Sequence, residues 1–329
     1  MSATPRLEWG KGPPPPEFHA VDAADPTAPG PDAEYAIAFR DERPVARLAT
    51  YARRDLVGAP GETGLVGHYA ATDADAAVAL LRDATRRLVA AGAQRVLGPM
   101  NGTTWARYRF AIAEPSGESG GRPFLGEPVN PPEYPAHFVR AGFREAAWYE
   151  SRITPDMAVA NPRAAAAEAT ARARGVTIAP IDLARFDDDL RDLHGLSLRA
   201  FAENLYYSPI GAEEFAAMYR PMRALLDPAL VLLARDGEAS LIGYAFAYPD
   251  PLSLEGGRPH RLIVKTLAVD PAWRSIGLGA LLVERLHAAA RGAGLSTVIH
   301  ALMQAANDSV KISAHTARLF RRYALYEHP

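Results

Sequence analysis

Arg274-Ser275-Ile276-Gly277-Leu278-Gly279-Ala280 is the stretch of this chain whose residue types and spacing are best suited to chemistry. Glycines at 277 and 279 permit positive φ and a close approach of backbone to ligand. A helix beginning there turns its first free N–H groups, at the positive end of its dipole, toward an incoming anion. A charge-assisted hydrogen bond contributes about 1.5–3 kcal/mol. Three or four such amides together with Arg274 are enough to dominate the affinity for a diphosphate. In the same half of the chain, His300 and Tyr323 are the side chains able to exchange protons with a reacting group. Both fall on expected strands, where alternation gives each an even chance of facing a cleft. A buried, satisfied core histidine is the other identity open to His300.

The elements needed to position these groups can be read around them. Leu262-Ile263-Val264-Lys265-Thr266-Leu267-Ala268-Val269 has the β-branched and aliphatic content of a strand and closes on the turn signal Asp270-Pro271. Beyond the glycines, Leu278, Leu281, Leu282, Arg285, Leu286 and Ala289 recur at helical spacing as far as Gly292. The order is therefore strand, tight loop, helix. Residues 295–302 form the next expected strand, 308–320 a helix behind Asn307, and 322–326 a closing strand. Upstream, 186–201 and 211–226 read as helices, and 230–234 and 241–248 as a hairpin across Asp236-Gly237.

The same order recurs in the first half. Residues 35–39 and 45–51 form an expected hairpin, 65–70 a strand, 75–91 a helix stopped by Gly92, 95–97 a strand, 134–141 a helix and 145–149 a strand. At the position of the glycine loop this copy has Ala71-Thr72-Asp73-Ala74-Asp75-Ala76-Ala77, two carboxylates where an anion would sit, and like charges repel. The proline-rich residues 1–33 read as an extended arm, and the alanine-rich run 162–174 as a linking helix.

The segment Leu267 to Ala280 resembles the signature of the GNAT superfamily, the GCN5-related N-acetyltransferases, in which a strand ending L-x-V-x-P runs into Q/R-x-x-G-x-G/A. Leu267, Val269, Pro271, Arg274, Gly277, Gly279 and Ala280 occupy every fixed position. A dinucleotide fingerprint fits less well, because the third residue after Gly279 is Leu282, and a Walker A loop lacks its Gly-Lys-Ser/Thr. The resemblance implies an α/β chain of the α+β GNAT fold, with two GNAT-like domains in tandem, each a mixed twisted sheet flanked by helices. The expected division is an arm at 1–33, a degenerate domain at 34–155, a linker at 156–174 and an acyl-CoA-binding domain at 175–329.

It further implies acetyl-CoA or another acyl-CoA as co-substrate. Leu267, Ala268 and Val269 would pair with pantetheine, and Arg274, Ser275, Ile276, Gly277, Leu278, Gly279 and Ala280 would cradle the pyrophosphate. Asn307 would stand either near pantetheine or as a plain helix cap. The implied reaction is N-acylation of a small-molecule amine by direct attack in a ternary complex. Deprotonating an amine of pKa ~10.4 at pH 7 costs about 4.6 kcal/mol, so a base or water relay is needed. His300 and Tyr323 are the candidates, and the helix expected at 308–320 has no tyrosine to protonate a leaving thiolate. Asn204, Tyr206 and Tyr207, in Phe201–Pro209, either cover an acceptor groove or form a packed inter-helix turn. Met100–Tyr108 is a second polar and aromatic cluster, and Phe124–Pro132 is either a rigid lid or a connector. Binding of acyl-CoA without turnover stands as an alternative, as do aminoacyl-tRNA-dependent transfer, acyl-CoA decarboxylation and O-acyl transfer.

Composition bounds the rest. The 329 residues carry 36 Lys and Arg against 38 Asp and Glu, a net charge of −2 that offers no excess for nucleic acid. Zero cysteines exclude disulfides and thiolate metal sites, and no His/Asp/Glu spacing suggests a metal. No run reaches the ~18 apolar residues of a membrane span. The expectation is a cytoplasmic monomer or homodimer, bacterial in composition, with a small-molecule amine as its partner and neither nucleic acid nor membrane.

Overall fold

A computed structural model describes residues 4–112, 121–159, 161–306 and 316–329. The first half runs β1 (Arg6–Lys11), α1 (Pro16–Ala20), β2 (Glu34–Arg40), β3 (Arg43–Arg53), β4 (Thr63–Ala71), α2 (Ala74–Ala90), β5 (Arg95–Gly98), β6 (Phe110–Ile112), α3 (Tyr134–Ala141) and β7 (Arg144–Thr154). The second runs α4 (Pro162–Ala173), β8 (Thr177–Pro180), α5 (Phe186–Ala200), α6 (Ala212–Tyr219), β9 (Val231–Arg235), β10 (Leu241–Pro249), the short pair β11 (Leu254–Glu255) and β12 (Arg258–Pro259), β13 (Arg261–Val269), α7 (Leu278–Gly292), β14 (Thr297–Gln304) and β15 (Arg318–His328).

All the described strands except β11 and β12 join one sheet, in the order β1-β2-β3-β4-β5-β15-β7-β14-β13-β10-β9-β8, with β6 added on β15. The last strand of each half has crossed to the other. β7, closing the first half, pairs with β14, while β15, closing the second, lies between β5 and β7. Chain order thus divides near α4, but the sheet is continuous across that division. β7 extends five residues past the expected 145–149, and those residues reach the second half.

Helices cover both faces. In the second half α5 and α6 pack on one side with Leu190, Leu193, Phe215 and Phe246, and α4 and α7 on the other with Ala167, Ala171, Leu278 and Leu282. α4 therefore packs as a layer of the second half. Its alanines let it lie close to α7, and Asn161 caps it by accepting from Arg163 N at 3.0 Å. In the first half α2 and α3 pack around Phe138 and Leu80.

Three expectations are corrected. Residues 1–33 were expected as an unpacked arm, but β1 pairs antiparallel with β2 and α1 buries Phe18 completely. The cause is Arg47, itself buried, whose guanidinium lies 4.7 Å over the Phe18 ring and donates to the carbonyls of Phe18 and Asp25, both at 3.1 Å. The helix expected at 308–320 falls mostly on 307–315, outside the described residues, and Arg318–Phe320 belong to strand β15. Neighbouring β7 supplies that stretch with backbone partners, overriding its helical spacing. The helix expected to 226 ends at Tyr219, and Pro221 converts the remainder to a 3₁₀ turn.

Candidate active site

β13 and β14 are parallel and paired only from Arg261↔Thr297 to Val264↔His300. Beyond that point they part. β13 stays bonded to β10 and β14 to β7, so Lys265–Val269 present a free strand edge to the opening. A β-bulge marks the point of divergence, since Phe246 pairs with Thr266 and Ala247 with Val264, leaving Lys265 as the extra residue. A second irregularity lies opposite, between His300 and Met303 of β14, where Leu302 takes a left-handed φ of 58°.

The opening leads into a cavity of about 470 Å³, within the ordinary range for small-molecule sites. Its floor is Val264–Leu267 and His300–Gln304. One wall is the α5–α6 connection, with Phe201, Asn204 and Tyr207, and the facing wall comes from the first half, with Trp105, Tyr108, Arg109, Gly126 and Tyr149. These walls are bolted together. Trp105 Nε1 donates to the Ser208 carbonyl at 2.9 Å, and the Val57 and Tyr206–Tyr207 backbones exchange bonds of 2.9 and 2.7 Å. Buried Arg261 donates to the carbonyls of Arg122 and Pro123 while paired with Asp250, which clamps the following proline-rich segment onto β13.

The glycine loop lies at the far end of β13. Asp270 accepts from Ala272 N at 3.1 Å and from Arg199 Nε at 2.8 Å, and a 3₁₀ turn over Pro271–Ile276 follows. Gly277, at φ 78°, reverses the chain into α7 with no side-chain cap. The first N–H groups of that fifteen-residue helix, from Leu278, Gly279 and Ala280, therefore stand without intrahelical acceptors. Arg274 donates to the Ala200 carbonyl at 2.8 Å, tying the end of α5 to the loop while its side chain stays exposed. Ser275 is exposed and Ile276 half-buried beside it. The loop can hold an anion, and the β13 edge can pair with an extended amide-bearing chain running from it to the cavity.

The first half has the same parallel pair, β4 and β5, but side-chain and backbone bonds bridge the strands beyond Leu65↔Leu97. Met100 N donates to Val66 O at 2.8 Å and His68 N to Asn101 Oδ1 at 2.7 Å, stitching across the point where the strands would part. At the loop position Asp73 caps α2 through Ala76 N and pairs with Arg40 at 2.5 Å, so a carboxylate occupies the place of an anion.

The expected site residues separate on inspection. Of the β13 trio, Leu267 lines the cavity, Ala268 is buried against the core, and Val269 sits half-buried beside the loop. Asn204 and Tyr207 line the cavity, whereas Tyr206, at φ 62°, turns into the core of the first half with Leu56 and Leu65. His300 is on the floor but buried, its Nε2 3.3 Å from Thr154 Oγ1. Burial, with His287 and Arg152 nearby, lowers its pKa to about 3. Tyr323 is sealed beneath the cavity, where it donates to Glu127 at 2.5 Å and meets Ser151 at 3.0 Å. Burial and the Glu127 carboxylate push its pKa up. Asn307 lies outside the described residues. Trp105 falls in the Met100–Tyr108 cluster singled out from the sequence, whereas Arg109 and Lys265 were not expected at the site. Arg109 and Trp105 reach it because strand exchange carries the first half there, a long-range effect with no local signal, and Lys265 because it is the bulged residue of β13.

Residues 196–313 match the family model described as "Acetyltransferase (GNAT) family". That segment of the chain is a GNAT acetyltransferase domain. The GNAT fold extends to both halves: a tandem GNAT protein from the clavulanic acid biosynthesis pathway superposes over 98% of each chain at TM-score 0.51 and 14% identity. A GCN5-related N-acetyltransferase from Sphaerobacter thermophilus matches over 94% of this chain and 84% of its own, at TM-score 0.53 and 13% identity. A glucosamine N-acetyltransferase region of a fungal multi-domain β-N-acetylglucosaminidase matches over 99% of this chain at TM-score 0.57 and 12% identity. The chain spans 38% of that protein's length. No curated protein matches the chain in sequence. Among the described residues no helix is long and apolar enough to cross a membrane, and no group of three His, Cys, Asp or Glu could hold a metal ion.

Proposed function

We propose that this GNAT protein transfers an acyl group, acetyl in the simplest case, from acyl-CoA to the amine of a small molecule. The observation that carries the reading is the parting of β13 and β14, which joins an uncapped helix N-terminus to an open cavity along one free strand edge. Pyrophosphate would rest on the amides of Leu278–Ala280 beside Arg274, and pantetheine along Thr266–Val269. The thioester would then lie at the Lys265 bulge, whose displaced backbone can offer an N–H to the carbonyl oxygen as charge develops there. The free amine attacks the thioester carbon, the C–S bond breaks, and the proton lost by nitrogen equals the one gained by sulfur, giving an amide and CoA thiol.

A base of pKa about 3 is no stronger than a carboxylate, and Tyr323, bonded to Glu127 with its own pKa pushed up, does not itself line the cavity. In this reading neither His300 nor Tyr323 takes the amine proton. Water in the cleft does, and His300 and Tyr323 shape the floor. The same two facts favour the alternative of acyl-CoA binding without turnover. Unfolding with and without acetyl-CoA, followed by thiol release with a panel of amines, separates the two. Ligand at ~100 times Kd stabilises by about 2.7 kcal/mol. Stabilisation without thiol release from any amine selects the binding protein, and no stabilisation refutes both.

A further inference from the structure

We propose that the acceptor amine also carries a carboxylate, bound in the cavity by Arg109, so that the substrates are of the amino-acid class. The inference rests on the acyl-transfer reading above and deepens it.

Arg109 is 8% exposed and lines the cavity. Its guanidinium lies against two mutually perpendicular phenol rings, 3.9 Å from the centre of Tyr108 and 4.4 Å from that of Tyr149. Of its five donors, one hydrogen bond to protein is formed, from Nη1 to the Leu302 carbonyl at 3.2 Å, and Nε is buried without a partner. Among the described residues no carboxylate pairs with it. A buried cation without an anion is costly, and native chains keep one where a ligand supplies the missing charge. The backbone points the same way. Arg109 takes a left-handed φ of 68° and bonds to Leu302, at φ 58°, so two unfavourable conformations face each other across the cavity floor.

The surroundings fit an anion more than a second cation. Lys265, at the bulge, has no carboxylate partner among the described residues and instead donates to Tyr219 Oη at 3.1 Å. The Tyr207 hydroxyl, on the opposite wall, is buried without a partner. Glu127, the carboxylate of this cavity's lining, is bonded to Tyr323 and ion-paired to Arg321 at 2.8 Å. The planar fork of Arg109 matches a carboxylate, and its contact with the two rings fixes the orientation. An amine on the same small molecule would then be presented to the thioester from the first-half side, opposite the entry of CoA.

The test uses the full chain. Calorimetry with acetyl-CoA, on wild type and Arg109→Gln, establishes first whether the cofactor binds and whether the variant keeps it. Failure of wild type there refutes the acyl-transfer reading itself. CoA thiol release is then followed with α-amino acids and their methyl esters, and the chain contains no cysteine to interfere. Acids are expected to exceed their esters by about tenfold or more in kcat/KM, the value of one charge-assisted pair. Arg109→Gln should abolish that preference, and Arg109→Lys should keep part of it. Should the Arg109 variants fail to fold, Lys265→Met is expected to lower the same acid-to-ester ratio. Equal turnover of acids and esters, or acylation confined to amines without a carboxylate, overturns the proposal while leaving acyl transfer intact. A preference for succinyl-CoA over acetyl-CoA that Arg109→Gln removes would place the anion on the acyl group, and overturns it too.

Discussion

Gly277→Ala probes the helix entry that the proposed cofactor would use. At φ 78° an alanine pays about 1–2 kcal/mol for the left-handed conformation. Its added Cβ would also stand 3.1 Å from Ala167 Cβ on α4. A methyl group cannot rotate away, so α4 and α7 must separate by a few tenths of an ångström, at about 1 kcal/mol, the low end for overpacking. The sum, about 2–3 kcal/mol, corresponds to roughly 3–4 °C in Tm for a chain of this size. The Leu278–Ala280 amides move with the loop, so acetyl-CoA affinity should fall about tenfold, the equivalent of ~1.4 kcal/mol. Repeating the substitution in an Ala167→Gly background removes the contact and retains the φ cost, so the penalty should drop to about 1–2 kcal/mol. Thermal unfolding measures the first quantity and calorimetry the second. An unchanged Tm would refute the packing argument, and a lowered Tm with unchanged acetyl-CoA affinity would refute the loop as the pyrophosphate cradle.

Acidification should unfold the protein through its buried histidines. Burial lowers the pKa of His68 and His287 to about 4 and of His300 to about 3, against ~6.5 in the unfolded chain. Between those values the unfolded state binds protons that the folded state refuses, so the stability is present above pH ~6.5 and lost as pH falls, at up to ~1.4 kcal/mol per unit for each histidine. Urea midpoints level above pH 7 and declining toward pH 5 are expected, and His300→Gln should make the decline shallower; a flat profile contradicts it. Tyr323→Phe should cost about 1.5–3 kcal/mol by depriving buried Glu127 of a donor while leaving kcat within about threefold. A kcat collapse at unchanged stability would restore Tyr323 as the proton donor.

The parts of this molecule legible in its sequence are those set by local chemistry. The glycine loop could be read because a strand, Asp270-Pro271 and a helical repeat lie within thirty residues, and α2 and α3 could be read from apolar spacing ending at Gly92 and Gly142. The site beyond the loop could not. Nothing near Arg109 announces that Leu302, almost two hundred residues away, will accept its hydrogen bond. Tyr206 and Tyr207 are neighbours of like chemistry, and only the left-handed φ at 206 sends one into the core and the other to the cavity. Tyr323 fell on an expected strand with the right alternation, yet its strand is inserted between β5 and β7, which places its hydroxyl beneath Glu127. Strand exchange is the common cause, because it is decided by pairing between segments that carry no sequence mark of each other.

The same exchange gives the stitched first half a use. A copy whose parallel strands are bridged by Asn101 and whose anion position is filled by Asp73 lacks the free edge and open loop of the second half. It nevertheless supplies the Trp105–Arg109 wall and the 126–128 segment of the cavity in the second half. With β15 bonded on both sides to first-half strands, that wall cannot swing away without breaking sheet hydrogen bonds. The acceptor side is thus rigid before any ligand arrives, and the cost of holding Arg109 in an unfavourable conformation is met at folding rather than at binding. In the acyl-transfer reading, one copy holds the donor and the other selects the acceptor. Changes in acceptor preference should therefore map to the first half of the chain, outside the segment that matches the acetyltransferase family.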